Sequence, residues 1–187
     1  MEKLVNPLLI KRNLLVASLF ITSFEMLKSS IQDRIKFFLS DVAYNGECEM
    51  IDVISDDYRR EILDRVIPNI NKKNHNHLFY SSCLWLKDMN AITQNDIDEL
   101  QKIRKERNTI AHEPLKLLID DNININIELL KKSQELLSKI EKWWLINIEM
   151  DISPGLDGVN IDTDDVKSGI TILLNYFMEI ADSEINI

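Results

Sequence analysis

The stretch Arg104-Lys-Glu-Arg-Asn-Thr-Ile-Ala-His-Glu-Pro114 concentrates groups that can do chemistry: Arg104, Lys105, Arg107, Asn108 and His112. A guanidinium grips an oxyanion through a planar fork of N–H donors. An imidazole exchanges a proton near neutral pH. A carboxamide can orient either one. Together the three suit a phosphodiester. The same residues have a plainer reading, since cations and histidine near a helix C-terminus are favoured by the helix dipole alone.

These side chains need an element to position them. Ile97, Leu100, Ile103, Ile110 and Ala111 recur at helical spacing, which predicts a helix to about Glu113. Thr93 and Asp96 suit its N-terminus as cap and first-turn acid. Pro114 marks the stop, because proline disfavours helical backbone in the residue before it. Arg107 falls on the apolar stripe, where a guanidinium must snorkel, pair or face a cavity. Arg104, Asn108 and His112 are spaced i, i+4, i+8 and form a polar stripe beside it.

The rest of the chain reads as helices around that one. Phe20, Phe24, Leu27, Ile31, Ile35, Phe38 and Val42 predict a long first helix, about Leu8 to Val42, with Lys28, Asp33 and Lys36 on its outer side. Asn45-Gly46 ends it as a turn. A second helix is expected from about Asp56 to Val66, capped by Ser55 or Asp56 and followed by Pro68. The polar run Asn69 to His77 is expected to be a loop. A shorter helix, Leu78 to about Met89, carries Phe79, Cys83 and Leu86 on one face. After Pro114 a loop is expected through Asp120-Asp121-Asn122. Asn122 to Ile127 alternates polar and apolar, which fits a short strand or a loop feeding a helix. Leu129, Leu130, Ser133, Leu136, Leu137, Ile140 and Trp144 then mark a helix to about Ile148. A polar linker, 151–162, precedes an acidic final helix, capped by Asp162 or Thr163 and reaching Ala181. The expected architecture is a single all-α domain over 1–187, a bundle of about five or six helices with a long first helix.

Composition agrees with a soluble globular protein: 45% hydrophobic and 28% charged, with only four Gly and four Pro in 187 residues. Cys48 and Cys83 have no metal or redox spacing, and the scarcity of cysteine points to a reducing cytoplasm. The apolar run Leu14 to Phe24 after Lys11-Arg12 is read as core helix rather than as a signal or membrane segment. Net charge is −9, and eight acids and one base from Asp151 onward account for −7 of it. The body is therefore nearly neutral, which argues against a surface that coats polyanions generally. Near the motif, Lys102, Arg104, Lys105, Arg107 and Lys116 against Glu106 and Glu113 leave a local +3.

The segment Leu100-Gln-Lys-Ile-Arg-Lys-Glu-Arg-Asn-Thr-Ile-Ala-His-Glu113 resembles the signature of the HEPN superfamily, R-x-x-x-x-H on an all-α bundle, often with a polar residue after the arginine. Arg107, Asn108 and His112 match those positions. The first helix, Phe24-Glu-Met-Leu-Lys-Ser-Ser-Ile-Gln-Asp-Arg-Ile-Lys36, also resembles the first helix of bacterial HEPN proteins. The resemblance implies a metal-independent endoribonuclease with no cofactor, working as a homodimer whose two motifs build one composite site. The ribose 2′-OH would attack the adjacent phosphate and leave a 2′,3′-cyclic phosphate. Arg107 would stabilise the phosphorane, His112 would act as general base or acid, and Asn108 would position one of them. Arg104, Lys105 and Lys116 would hold the RNA backbone. The implied setting is a cytoplasmic toxin or antiviral effector, with an antitoxin or regulatory protein as a further partner and no membrane. In the branch paired with a nucleotidyltransferase antitoxin, a tyrosine stands two residues after the histidine. Pro114 occupies that position here, which argues against that branch. A catalytically inactive HEPN-like module that binds RNA or a protein through the same face is the alternative.

Other candidates carry less. His75 and His77 form an H-x-H pair with no further ligand at zinc spacing, and are read as solvated loop residues. Trp143-Trp144 is read as core and rim packing rather than a base-stacking platform. Asp56-Asp57, Asp120-Asp121 and Asp164-Asp165 are read as caps and solubilising charge rather than Mg²⁺ ligands. The chain has neither a Gly-rich phosphate loop nor an assignable Ser/His/Asp set.

Overall fold

A computed structural model describes residues 6–44, 50–68, 70, 76–119, 124–150, 152 and 166–185. Seven helices and one two-stranded ribbon lie among them: α1 (Pro7–Leu39), β1 (Asp41–Tyr44), β2 (Met50–Val53), α2 (Asp56–Tyr58), α3 (Asn76–Asp88), α4 (Gln94–His112), α5 (Pro114–Ile119), α6 (Ile127–Trp144) and α7 (Gly169–Ile185). The fold is all-α in its main part, with a long N-terminal helix. Internal contacts group the chain into two compact units, Lys28–Ile97 and the remainder, Met1–Leu27 with Asp98–Ile187. By their bounds, α1 and α4 contribute residues to both.

Helix α1 has 33 residues, about 50 Å at 1.5 Å per residue. Phe20, Phe24, Leu27, Ile31 and Ile35 are buried along it as their spacing requires, and Lys28, Asp33 and Lys36 are exposed. By length and composition α1 could also cross a bilayer, but 44% of its most apolar window is packed inside the protein.

In the Lys28–Ile97 unit, α1 ends at Leu39 rather than near Val42. Phe38 is 43% exposed, and Val42 pairs with Asp52 in the antiparallel ribbon. The Ser55 hydroxyl donates to the Leu39 carbonyl, satisfying a group that the helix end leaves open. The same oxygen accepts from the Tyr58 N–H at 3.0 Å and caps α2. A wide turn over Arg59–Leu63, closed by Asp64 N–H to the Arg59 carbonyl at 2.7 Å, ends this helix before the expected Val66. Burial, then the charge of Asp33, raises the Tyr58 phenol above its ordinary range.

Helix α3 buries Phe79, Cys83 and Leu86 as expected. It begins earlier than expected, so His77 sits in its first turn instead of a solvated loop. His77 is 4% exposed, and its Nε2–H donates to the Arg65 carbonyl at 2.8 Å. His75 lies outside the described residues. The far end of α3 closes with Asn90 at φ 58°. The Ala91 N–H reaches the Leu86 carbonyl and the Asn90 N–H reaches Lys87, both at 2.9 Å. This left-handed closure suits asparagine as well as glycine.

In the other unit, α6 carries the clearest apolar stripe. Leu130, Leu136, Leu137, Ile140 and Trp144 are buried, and Asn126 caps the start by accepting from Leu129 N–H at 3.2 Å. Residues 124–126 are not strand, so the described part of Asn122–Ile127 takes the loop reading. The buried hydroxyls of Ser23 on α1 and Ser133 on α6 bond each other, and Ser133 also donates to the Leu130 carbonyl at 2.9 Å. Trp144 is buried beside partly buried Trp143, edge to face at 5.0 Å. The expected caps of the last helix, Asp162 and Thr163, lie outside the described residues, as do Asp120-Asp121 and Asp164-Asp165. At α7, Ser168 accepts from the Thr171 N–H at 3.1 Å, and the helix runs on to Ile185.

Helix α4 opens with a reciprocal cap. The Thr93 N–H and hydroxyl both donate to Asp96 Oδ2 at 2.8 Å, and the Asp96 N–H donates to Thr93 Oγ1 at 3.2 Å. Thr93→Ala removes one arm and should lower stability by about 1 kcal/mol, read from urea unfolding. Loss below about 0.3 kcal/mol would mean that the Asp96 arm suffices.

Candidate functional site

On α4, Ile97, Leu100, Ile103 and Ile110 are buried. Ala111, expected on the same stripe, is exposed: one residue past Ile110, it turns about 100° off the buried line. The helix ends at His112. Pro114 then opens α5 rather than a loop, since a proline that halts one helix is also well suited to the first position of the next. Glu113 bridges the two, its N–H on the Thr109 carbonyl at 3.0 Å and its carbonyl accepting from Lys116 N–H at 3.1 Å.

Arg107 pairs. Its Nη2 donates to Glu25 Oε1 of α1, and its Nη1 donates to Asn108 Oδ1 at 3.4 Å. Its Cζ lies 5.4 Å from the centre of the Phe24 ring, a cation–π distance. The Arg107 side chain is 27% exposed and that of Glu25 42%. The Nε of Arg107 is buried and has no hydrogen-bond partner among the described residues. Thus Phe24 supports the guanidinium, Glu25 and Asn108 hold its two ends, and part of its donor capacity is unused.

The polar stripe lies at the surface. Arg104 and Asn108 are partly buried, and His112 is exposed. Asn108 links the stripe to Arg107. Five residues along a helix turn its axis by about 140° and advance about 7.5 Å. Arg107 and His112 therefore point away from each other on one copy of α4.

The positive charge near the motif is smaller than the sequence count. Lys102 pairs with Glu99 at 2.7 Å, and Lys116 with Glu113 at 2.9 Å. Glu106 Oε1 accepts the Asn126 N–H at 3.2 Å, tying α4 to the cap of α6. Adding Glu25 and Glu99 to the five bases and two acids lowers the local charge from +3 to +1. Lys105 is exposed and makes no ion pair among the described residues.

A groove of about 250 Å³ is lined by Lys131, Met178, Glu179 and Asp182 on α6 and α7, and none of the motif residues lines it. Among the described residues, no three His, Cys, Asp or Glu side chains are grouped to hold a metal ion. Comparison with family models, curated proteins and solved structures gives no match to the chain.

Glu25 is the residue that sequence reading missed. Its signal was faint: an acid beside a buried phenylalanine on one helix, and a base on the buried stripe of another, 82 positions apart. Because the pair is partly exposed, solvent screening holds its contribution to under about 1 kcal/mol. A double-mutant cycle with Glu25→Gln and Arg107→Gln should give a coupling of that size which shrinks at high salt. A coupling above about 2 kcal/mol that salt leaves unchanged would mean a desolvated pair.

Proposed function

We propose that this chain is a HEPN-like, metal-independent endoribonuclease, a cytoplasmic toxin or antiviral effector that cleaves RNA at a composite site between two copies. One observation carries the reading: a solvent-exposed imidazole and a partly exposed guanidinium, the latter bonded to Asn108, share one helix end. Their divergence around α4 supports a site shared between copies. A phosphate gripped by Arg107 of one copy would meet His112 of the other. One His112 would take the proton from the 2′-OH as that oxygen attacks phosphorus, and the second would protonate the departing 5′-oxygen. Arg107 would stabilise the charge on the phosphorane. Arg104, Lys105 and Lys116 would steer the backbone, and that steering would weaken as salt rises.

Purified protein should cleave RNA in EDTA and leave 2′,3′-cyclic ends, while folded His112→Ala and Arg107→Ala variants should each lose at least about a hundredfold in rate. Intact tRNA, rRNA and mRNA after prolonged incubation with wild type would sink the nuclease reading. The composite geometry has its own test. A fixed amount of wild type mixed with an equal amount of His112→Ala should keep about half its activity once subunits exchange, because half of the wild-type copies then sit in heterodimers that lack one histidine. Undiminished activity in mixtures shown to exchange subunits would mean that each copy carries its own site.

The second reading, an RNA- or protein-binding module without nuclease activity, is favoured by the Glu25–Arg107 pair. An arginine already paired with a carboxylate of its own chain has a structural use that needs no substrate. Unaltered RNA bound in an Arg107-dependent way would select it.

A further inference from the structure

A guanidinium can clasp an oxyanion with two parallel bonds along either of two edges, one presenting Nη1 and Nη2 and the other Nε and Nη2. Nη2 belongs to both edges, with one N–H on each, and Glu25 Oε1 takes one of the two. The Nε of the second edge is buried and Nη1 is bonded to Asn108 Oδ1, so Nη2 is the end left for an incoming anion, and the carboxylate already sits there.

We infer that Glu25 is an intramolecular stand-in for the RNA phosphate: the carboxylate holds the anion position at Arg107 and must leave before RNA can occupy it. The inference rests on the reading of Arg107 as a phosphate ligand. Three features favour exchange over a fixed structural bond. Both partners are partly exposed, 27% for Arg107 and 42% for Glu25, so water and a ligand can reach the pair. Such pairs are weak and easily opened. The other supports of the guanidinium, the Phe24 ring and Asn108 Oδ1, are independent of Glu25 and would keep it presented once the carboxylate swings away. Glu25 thereby sets a threshold on RNA binding, acting as a built-in competitor.

The test uses the full chain and a labelled single-stranded RNA oligonucleotide methylated at every 2′-oxygen, which keeps the phosphodiester backbone but has no attacking nucleophile. Binding is followed by fluorescence anisotropy for wild type, Glu25→Gln, Arg107→Gln and the double variant, each shown to be folded by circular dichroism. Glu25→Ser replaces Glu25→Gln should the latter fail to fold. The expected result is that Glu25→Gln binds about fivefold tighter than wild type, Arg107→Gln binds more weakly, and the double variant matches Arg107→Gln. Binding by Glu25→Gln equal to or weaker than wild type, with Arg107→Gln still weakened, overturns the competitor role and leaves Arg107 as a phosphate ligand. A gain that persists in the double variant also overturns it, because the effect would then be one of general charge. Binding that ignores Arg107→Gln removes both the inference and the reading beneath it.

Discussion

A guanidinium set into an apolar stripe must find an acceptor, and α4 sets Arg107 between Ile103 and Ile110. Those two isoleucines are fully or almost fully buried, so the helix cannot roll to expose the arginine without exposing them. Burying each such side chain is worth about 1.5–3 kcal/mol, more than a partly exposed ion pair can return. Packing therefore fixes where the guanidinium lies, and the ion pair follows from that position. Glu25 satisfies the requirement from α1, one residue after buried Phe24, and the ring supports the cation from below.

The same logic explains why the motif sits at a helix end. The reciprocal cap of Thr93 and Asp96 fixes where α4 starts, and Pro114 fixes where it stops. Between these limits the phase of Ile97, Leu100, Ile103 and Ile110 determines which residues face solvent. His112 is exposed because it is the last residue before the break and falls on the outer stripe with Arg104 and Asn108. Glu106, on the same helix, is drawn into holding the start of α6, which removes one acid from the open surface.

Patterns that repeat over several turns were legible in the sequence. The stripes of α1, α4 and α6, the cap at Thr93 and the expectation that Arg107 must pair, snorkel or face a cavity all came from periodicity or elementary charge solvation. What sequence reading missed was short or tertiary. Phe38 and Val42 continue the helical period by coincidence, so the strand after Leu39 was concealed. The six residues of α5, Pro114 included, are too few to show a period, and proline reads as a stop before it reads as a start. The Asn-rich context of His77 suggested solvent, and only its contact with the Arg65 carbonyl puts it inside. The identity of the acceptor for Arg107 depends on which residue α1 brings near, and no local pattern reports that.

An arginine that carries its own carboxylate alters the ionic accounting of any encounter with a polyanion. A cation that neutralises a phosphate ordinarily displaces condensed counterions from the nucleic acid, and binding weakens as salt rises. At Arg107 the competing Glu25 bond is itself screened by salt, so the carboxylate is released more easily as the hold on the phosphate weakens. This contact would then add less to the salt dependence of RNA binding than a free arginine would, even while contributing to affinity. The number of phosphates counted from a salt titration would fall short of the number touched.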